Sequence, residues 1–243
     1  MRAFAGNTYD DYYEAPMSEF PLPSKIFFVF VACLVGAFTK IVWPWKFENG
    51  HKMWDDKSAR VIVGNHVSML EPVVTLVSLW AHGITCRPVY KSEFDSFPCA
   101  KWFLSRIGCI PVSRGHADIK CLRRCERALK RGECVLIYPE GTRIRTDDQE
   151  VEIHGGFALM ARSGKAPVLP TAVVGARDIT IDDAPIPLKR IFWRSFFKVG
   201  DPLRLEDMEA DTRKGQCEQL EKVTMERVYE LRDELRAEHP KKH

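Results

Sequence analysis

Apolar and polar positions divide the 243-residue chain into three regimes. Residues 1–23 are polar and aromatic, with Asp10, Asp11, Glu14 and Glu19. From Ile26 to Phe38 every residue is apolar or glycine; Lys40 interrupts, and Ile41-Val42-Trp43-Pro44-Trp45 continues. From Arg60 onward, short apolar runs alternate with longer amphipathic stretches. The runs are Val61–Gly64, Cys86–Tyr90, Ile107–Val112, Cys134–Tyr138, Val168–Val174 and Phe196–Gly200. They are aliphatic or β-branched on both faces, as strands covered by helices on both sides are. Helical patterns fall at Pro72–Trp80, Ala117–Arg131 and Gly156–Ser163. A charged helix over 211–237 follows, turning Leu220, Val223, Val228, Leu231 and Leu235 inward. In Ala117–Arg131 the apolar stripe is Ile119, Leu122, Cys125 and Leu129, and Gly132 supplies the stop. This alternation predicts an α/β domain with a largely parallel central sheet flanked by helices.

The apolar segment is expected to be a helix over residues 24–46. Its uninterrupted core is short for a span, which takes about 20 residues. Three placements stand: a helix lying in or dipping into one leaflet, a single tilted span, and a helix packed on the domain. Trp43 and Trp45 suit a membrane interface, and Lys25 and Lys40 bracket the run. The acidic residues before it are wrong for a signal peptide. The predicted organisation is a polar tail over 1–23, a membrane-associating segment over 24–50, a folded domain over 51–237 and a frayed tail over 238–243.

Composition narrows the chemistry. A net charge of +3 and an apolar fraction of 45% suit a globular protein with an anionic substrate or membrane surface, and give no argument for nucleic acid. None of the eight cysteines forms a CxxC pair or a zinc-like spacing. The expectation is reduced thiols, a cytosolic environment and no metal.

Three clusters sit where predicted strands end, which is where α/β sheets gather their sites. In Asn65-His66-Val67-Ser68-Met69-Leu70-Glu71-Pro72, a histidine precedes a carboxylate by five residues. On a regular helix the two would point apart. Pro72 disfavours helical geometry at Glu71 and suits the first helical position, so 65–71 is expected to be a loop. Such a loop lets the carboxylate orient the imidazole and leave its other nitrogen as a general base. The bland alternative is a partly buried histidine beside a helix-capping glutamate. Tyr138-Pro139-Glu140-Gly141-Thr142-Arg143 reads as an anion-binding turn, or as a surface turn with a local ion pair. Gly108–Gly115 carries Arg114, a second phosphate candidate or a solvated arginine. A mostly apolar stretch, Ala166–Gly175, reads as a core strand or a wall for an acyl chain.

In order and spacing, Asn65-His66-x4-Glu71, Gly108–Arg114, Tyr138–Arg143 and Val168-Leu169-Pro170 resemble the four motifs of the glycerolipid acyltransferase family, over residues 55–205. The resemblance implies a glycerolphosphate acyltransferase-like fold. It also implies acyl transfer from acyl-CoA or acyl-carrier protein to lysophosphatidate, with no cofactor or metal, at the cytoplasmic face of the cell membrane. His66 would be the base and Glu71 its partner. Arg114, Glu140, Gly141, Thr142 and Arg143 would form the acceptor-phosphate side, joined by Lys91. The family has aspartate where this chain has Glu71, one methylene longer. Glycerol 3-phosphate or another lysolipid is the alternative acceptor. A hydrolase would need a nucleophile near His66; Ser68 is close in sequence, but there is no GxSxG elbow.

Overall fold

The computed structural model describes residues 6, 8–113, 118–146, 148–177 and 191–240. In chain order the elements are α1 (Tyr9–Glu14), α2 (Leu22–Val42), β1 (Trp45–Glu48), α3 (His51–Trp54), β2 (Val61–Gly64), α4 (Leu70–Ala81), β3 (Cys86–Lys91) and α5 (Pro98–Arg106). They continue with β4 (Ile110–Val112), α6 (Ile119–Lys130), β5 (Cys134–Ile137), α7 (Gly156–Gly164), β6 (Val168–Val174), β7 (Ser195–Val199) and α8 (Arg213–Glu238). The strands form one sheet in the order β1-β7-β6-β2-β5-β3-β4. Its pairings are parallel except β6 with β7.

The period-2 geometry of the strands sorts the core into two layers. Val61, Val63, Val135 and Val168 face α6, α7 and α8, packing on Cys125, Phe157, Leu220 and Val228. Ile62, Leu136 and Leu169 face the other way, onto Leu76 and Leu79 of α4 and Phe28 of α2. Coverage on both faces is why these strands lack alternation.

Three expected elements differ in detail. The strand expected from Ile107 starts only at Ile110, because Ile107 ends α5 and Gly108, at φ +85°, turns the chain. In α6 the buried stripe is Cys121, Cys125, Ala128 and Leu129, while Ile119 is 60% exposed. An i, i+4, i+7 stripe wins over the one drawn through Ile119. The expected helix over 24–46 ends at Val42, and Trp45 opens β1, an edge strand paired with β7. Trp43 is buried against Val67, Leu70 and Val74 rather than placed at an outer rim. The Lys40 ammonium lies over the Trp45 ring, 3.8 Å from its centroid, and donates to the Trp45 carbonyl.

Helix α2 packs along one face and is bare along the rest. Ser24, Ala32, Gly36 and Thr39 are buried. Gly36 is required there: a β-carbon on it would lie 2.7 Å from Val77 Cγ1 of α4. The outward face shows Ile26, Phe30, Leu34, Phe38 and Ile41, each more than half exposed.

The acidic segment before α2 is folded rather than a tail. Tyr12 and Tyr13 of α1 are buried, and Arg124 pairs with both Asp10 and Glu14. Arg87, fully buried, donates to the Gly108, Ala15 and Tyr12 carbonyls at 2.9, 3.0 and 2.6 Å. Glu133 faces its guanidinium at 3.7 Å and accepts from the Met17 amide at 2.7 Å. Such a charge is tolerated in a core because every direction has a partner. At the other end, where fraying was expected, His239 stacks on Phe196 and bonds Glu48 at 2.8 Å.

Arg87→Met removes the cation and leaves Glu133 and three carbonyls facing apolar side chain. A loss of about 3–5 kcal/mol in unfolding free energy is expected, with faster proteolysis around residues 8–20. Denaturant melts and limited proteolysis check it; an unchanged midpoint would mean that Arg87 is not the anchor of α1.

Candidate active site

Strand β2 leaves the sheet at Asn65, whose side chain prolongs the ladder. Asn65 Nδ2 donates to the Val173 carbonyl at 3.1 Å, and its Oδ1 accepts from the Val173 amide at 2.8 Å. A side-chain amide thus does the work of a peptide unit and pins the point where His66 emerges.

Residues 66–68 then wrap around one carboxylate. Glu71 Oε1 accepts from the Val67 and Ser68 amides at 2.9 and 2.6 Å. Oε2 faces His66 Nδ1 at 3.4 Å. Both atoms are buried, and beyond this contact neither has a polar partner. The expected approach of histidine and carboxylate is therefore present, but by a different route. Helix α4 starts at Leu70, so Glu71 is helical and Pro72 is its third residue, not its first. Proline is tolerated there because the first helical N–H groups have no intrahelical partner. The loop that brings the two groups together is the short 65–69 turn, closed by amides on Glu71. The extra methylene of glutamate is accommodated in that turn. Ser68 is fully buried, and its hydroxyl accepts the Leu70 amide at 3.0 Å, so it serves the first amide of α4 rather than standing as an exposed nucleophile.

The 138–144 turn supports this loop from the adjacent strand β5. The Tyr138 ring stacks on His66, with centroids 4.7 Å apart and planes at 24°. Glu140 Oε2 accepts the His66 amide at 2.6 Å, and the Ile144 amide donates to the His66 carbonyl at 2.7 Å. The His66 peptide groups are thus held on both sides by one turn. Gly141, at φ +58°, sits in the left-handed region that glycine adopts without strain.

Glu140 is where the structure corrects an expectation. Placed on the phosphate side by resemblance, it is 3% exposed, with its oxygens committed to the His66 amide and to the Tyr229 hydroxyl at 3.2 Å. A buried carboxylate turned toward the histidine backbone cannot also grip a phosphate. Tyr229, from α8, went unnoticed in the sequence. It lies in no motif, and its only signal was a polar tip on the inner part of a helix.

Arg143 follows β5 and Lys91 ends β3, so with His66 they stand over three neighbouring strands at the same edge of the sheet. Thr142 is exposed beside Arg143. Arg114 lies outside the described residues. Among the described residues, Glu48, Glu238 and His239 are close enough to share a cation. The Lys198 ammonium already fills that role, 2.6 Å from Glu238 and 3.8 Å from Glu48.

The sequence profile of the acyltransferase family matches residues 47–174, just over half of the 243 residues. The chain belongs to the acyltransferase family. Within that family it is 32% identical over 121 residues to a chloroplastic 1-acyl-sn-glycerol-3-phosphate acyltransferase of Brassica napus, covering 49% of this chain and 34% of that protein. It is 30% identical over 140 residues to the 1-acyl-sn-glycerol-3-phosphate acyltransferase of Bacillus subtilis, covering 56% and 64%. It is 31% identical over 98 residues to a lyso-ornithine lipid O-acyltransferase of Pseudomonas aeruginosa, covering 40% and 37%. The chain therefore matches between about a third and two thirds of these relatives' lengths. The crystal structure of the 1-acyl-sn-glycerophosphate acyltransferase PlsC from Thermotoga maritima aligns with a TM-score of 0.60 at 19% identity, over 86% of this chain and 80% of that one. The acyltransferase fold is shared. Tyr229 lies beyond the residues matched by the family profile.

Burial lifts the Glu140 carboxyl from its ordinary 4.5 to about 7, against the hydrogen bonds from His66 and Tyr229 that favour the anion. The folded chain thus holds this proton more tightly than the unfolded chain. The resulting stability is complete below about 4.5 and is lost as pH rises through about 7. Glu140→Gln keeps an oxygen for the His66 amide but cannot titrate. Wild type should lose stability relative to this variant between about pH 5 and about pH 8; parallel melting curves across that range would rule Glu140 out as the proton-binding group.

Proposed function

We propose that the chain is a membrane-associated 1-acylglycerol-3-phosphate O-acyltransferase. It moves an acyl group from acyl-CoA or acyl-carrier protein to the free hydroxyl of lysophosphatidate, giving phosphatidate. The observation that carries this reading is His66, with Nδ1 turned to the buried Glu71 at 3.4 Å and both peptide groups clamped. Arg143 lies in the turn after β5, and Lys91 ends β3. Names of relatives in the family point to the same acceptor.

In this mechanism Glu71 holds the imidazole so that Nε2 faces the acceptor. Nε2 takes the hydroxyl proton as the oxygen attacks the thioester carbonyl. The tetrahedral intermediate collapses with cleavage of the C–S bond, and the thiolate leaves with the proton from the imidazolium. No protein nucleophile forms a covalent intermediate. Arg143 and Lys91 hold the acceptor phosphate, with Arg143 presenting a planar fork suited to its oxygens. Two cations at the same edge of the sheet as the base favour a phosphorylated acceptor over an uncharged lysolipid.

Helix α2 gives the membrane contact. It is long and apolar enough to cross a bilayer, but its small-residue face lies on α4. The side-by-side packing supports a helix in the interface with its bare face toward lipid. Burying each of its five outward side chains contributes on the order of 1–2 kcal/mol, given about 1.5–3 for complete burial. The described cysteines are all unpaired, which suits the cytoplasmic face.

His66→Ala is expected to lower the rate by about 10²–10⁴-fold with an unchanged melting curve. Near wild-type turnover by the purified variant would sink the mechanism. Arg143→Ala should raise KM for lysophosphatidate far more than it lowers kcat, and Glu71→Asp should retain more activity than Glu71→Gln. Replacing Phe30 and Leu34 by serine should move the protein from the membrane pellet to the supernatant; quantitative retention in the pellet would show that this face is not the contact.

A further inference from the structure

The clamp on His66 has its far end on α8. Glu140 Oε2 accepts the His66 amide at 2.6 Å, and Oε1 accepts the Tyr229 hydroxyl at 3.2 Å. At 3% exposure the carboxyl depends on these two donors rather than on bulk water. Tyr229 is delivered by a firmly held helix. Its neighbours Val228 and Leu231 are fully buried, and the Thr212 hydroxyl caps α8 by accepting the Gly215 amide at 3.0 Å. The Arg232 guanidinium lies over the Tyr229 ring, 4.8 Å from its centroid. At the near end, the His66 ring stacks on Tyr138 and its Nδ1 stands 3.4 Å from Glu71 Oε2. Burial pushes the Glu140 carboxyl up to about 7, so both of its forms are populated near neutral pH. The other titratable groups facing it are the His66 imidazole, which favours the anion, and Glu71 of α4, which opposes it. A partner able only to donate suits the anion alone, and one able only to accept suits the acid alone. A phenol does both. Tyr229 keeps its own proton, because burial and the nearby Glu140 charge push it up to about 12.

We infer that Tyr229 is a positioning residue for the acyl transfer: its hydroxyl keeps the Glu140 carboxyl on the His66 amide, as donor to the carboxylate and as acceptor from the carboxylic acid. The inference rests on the proposed role of His66 as the base. In the ionised form the phenol O–H donates to Oε1. In the protonated form Oε2 still faces the His66 N–H and cannot turn a proton toward it. The proton therefore sits on Oε1 and donates to the phenol oxygen. The carboxyl stays in place either way. Phenylalanine at 229 would leave Oε1 buried and unbonded, and the carboxyl would turn off the His66 amide to recover a partner. His66 would then lose one of its two backbone ties, and Nδ1 its fixed approach to Glu71. Tyr229 acts through Glu140 on the geometry of the base, before any substrate arrives.

Tyr229→Phe keeps the ring and removes the hydroxyl. Its kcat should fall about threefold to tenfold, the worth of one hydrogen bond. KM for the acyl donor and for lysophosphatidate should stay at the wild-type value. The loss should appear at about pH 6 and at about pH 8, on either side of the Glu140 titration. A tyrosine that only donates would matter at the higher pH alone. Glu140→Gln isolates the accepting role, because the amide oxygen must serve the His66 N–H and its NH2 then faces the phenol. Tyr229→Phe in that background should again cost about threefold to tenfold. A change in KM rather than kcat, a loss confined to one side of neutrality, or no loss in the glutamine background would overturn the inference. The bond can also be read without turnover. In protein with isotopically labelled histidine, the His66 amide resonance is assigned by its absence in His66→Ala. It should lie downfield in the wild type and move upfield in Tyr229→Phe; an unmoved resonance would overturn the inference as well. Wild type that never acylates lysophosphatidate would instead refute the proposed acceptor and leave the amide resonance to judge Tyr229.

Discussion

The peptide groups on either side of the His66 α-carbon are held by partners from one turn: Glu140 takes the amide and Ile144 supplies a donor to the carbonyl. Much of the site depends on this clamp. A histidine at the end of a four-residue strand would otherwise swing with its loop. With the backbone tied and the ring stacked on Tyr138, the imidazole has one direction left for Nδ1, and Glu71 occupies it. Preorganisation of this kind means that orientation is established before substrate arrives.

The clamp also links distant parts of the chain. Glu140 reaches its amide because β5 lies beside β2 in the sheet, and it is kept buried by Tyr229 from α8. Removing a carboxyl from water raises its proton affinity, and two donated hydrogen bonds only partly offset that. The result is a group that titrates near neutrality while acting on backbone geometry. Through Tyr229 that helix braces the turn that holds the His66 backbone. On the opposite layer, α2 packs a small-residue face on α4 and leaves an apolar face outward. That is the reverse of a water-facing surface helix.

The strand–helix alternation, the parallel sheet and the ends of β2 and β6 were legible in the sequence. Residues covered on both faces leave a purely apolar run that few other structures accommodate. The clusters after β2 and β5 were legible because histidine, glycine and arginine soon after such runs have little packing purpose. Less legible were elements with weak patterns: α1, β1 and α5 carry polar or aromatic residues whose burial depends on partners such as Arg87 and Arg124. The Trp43–Trp45 segment showed the same limit, since a tryptophan reads alike at a membrane rim and in a protein core.

By itself the sequence determined the class of fold and the strand ends beyond which His66, Glu71 and Arg143 fall, because these follow from local periodicity and from residue chemistry. Only the tertiary structure decided how they act. Pro72 signalled a loop at Glu71, but folding made that residue helical, because two amides bonded to its carboxylate outweigh a local backbone preference. Glu140 had the look of a ligand group, and folding turned it inward as a brace for His66. Tyr229 gained its place through a contact that no spacing along the chain could reveal. Local preferences act on neighbouring residues, whereas these roles depend on contacts 89 residues apart, between Tyr229 and Glu140, and 74 apart, between Glu140 and His66.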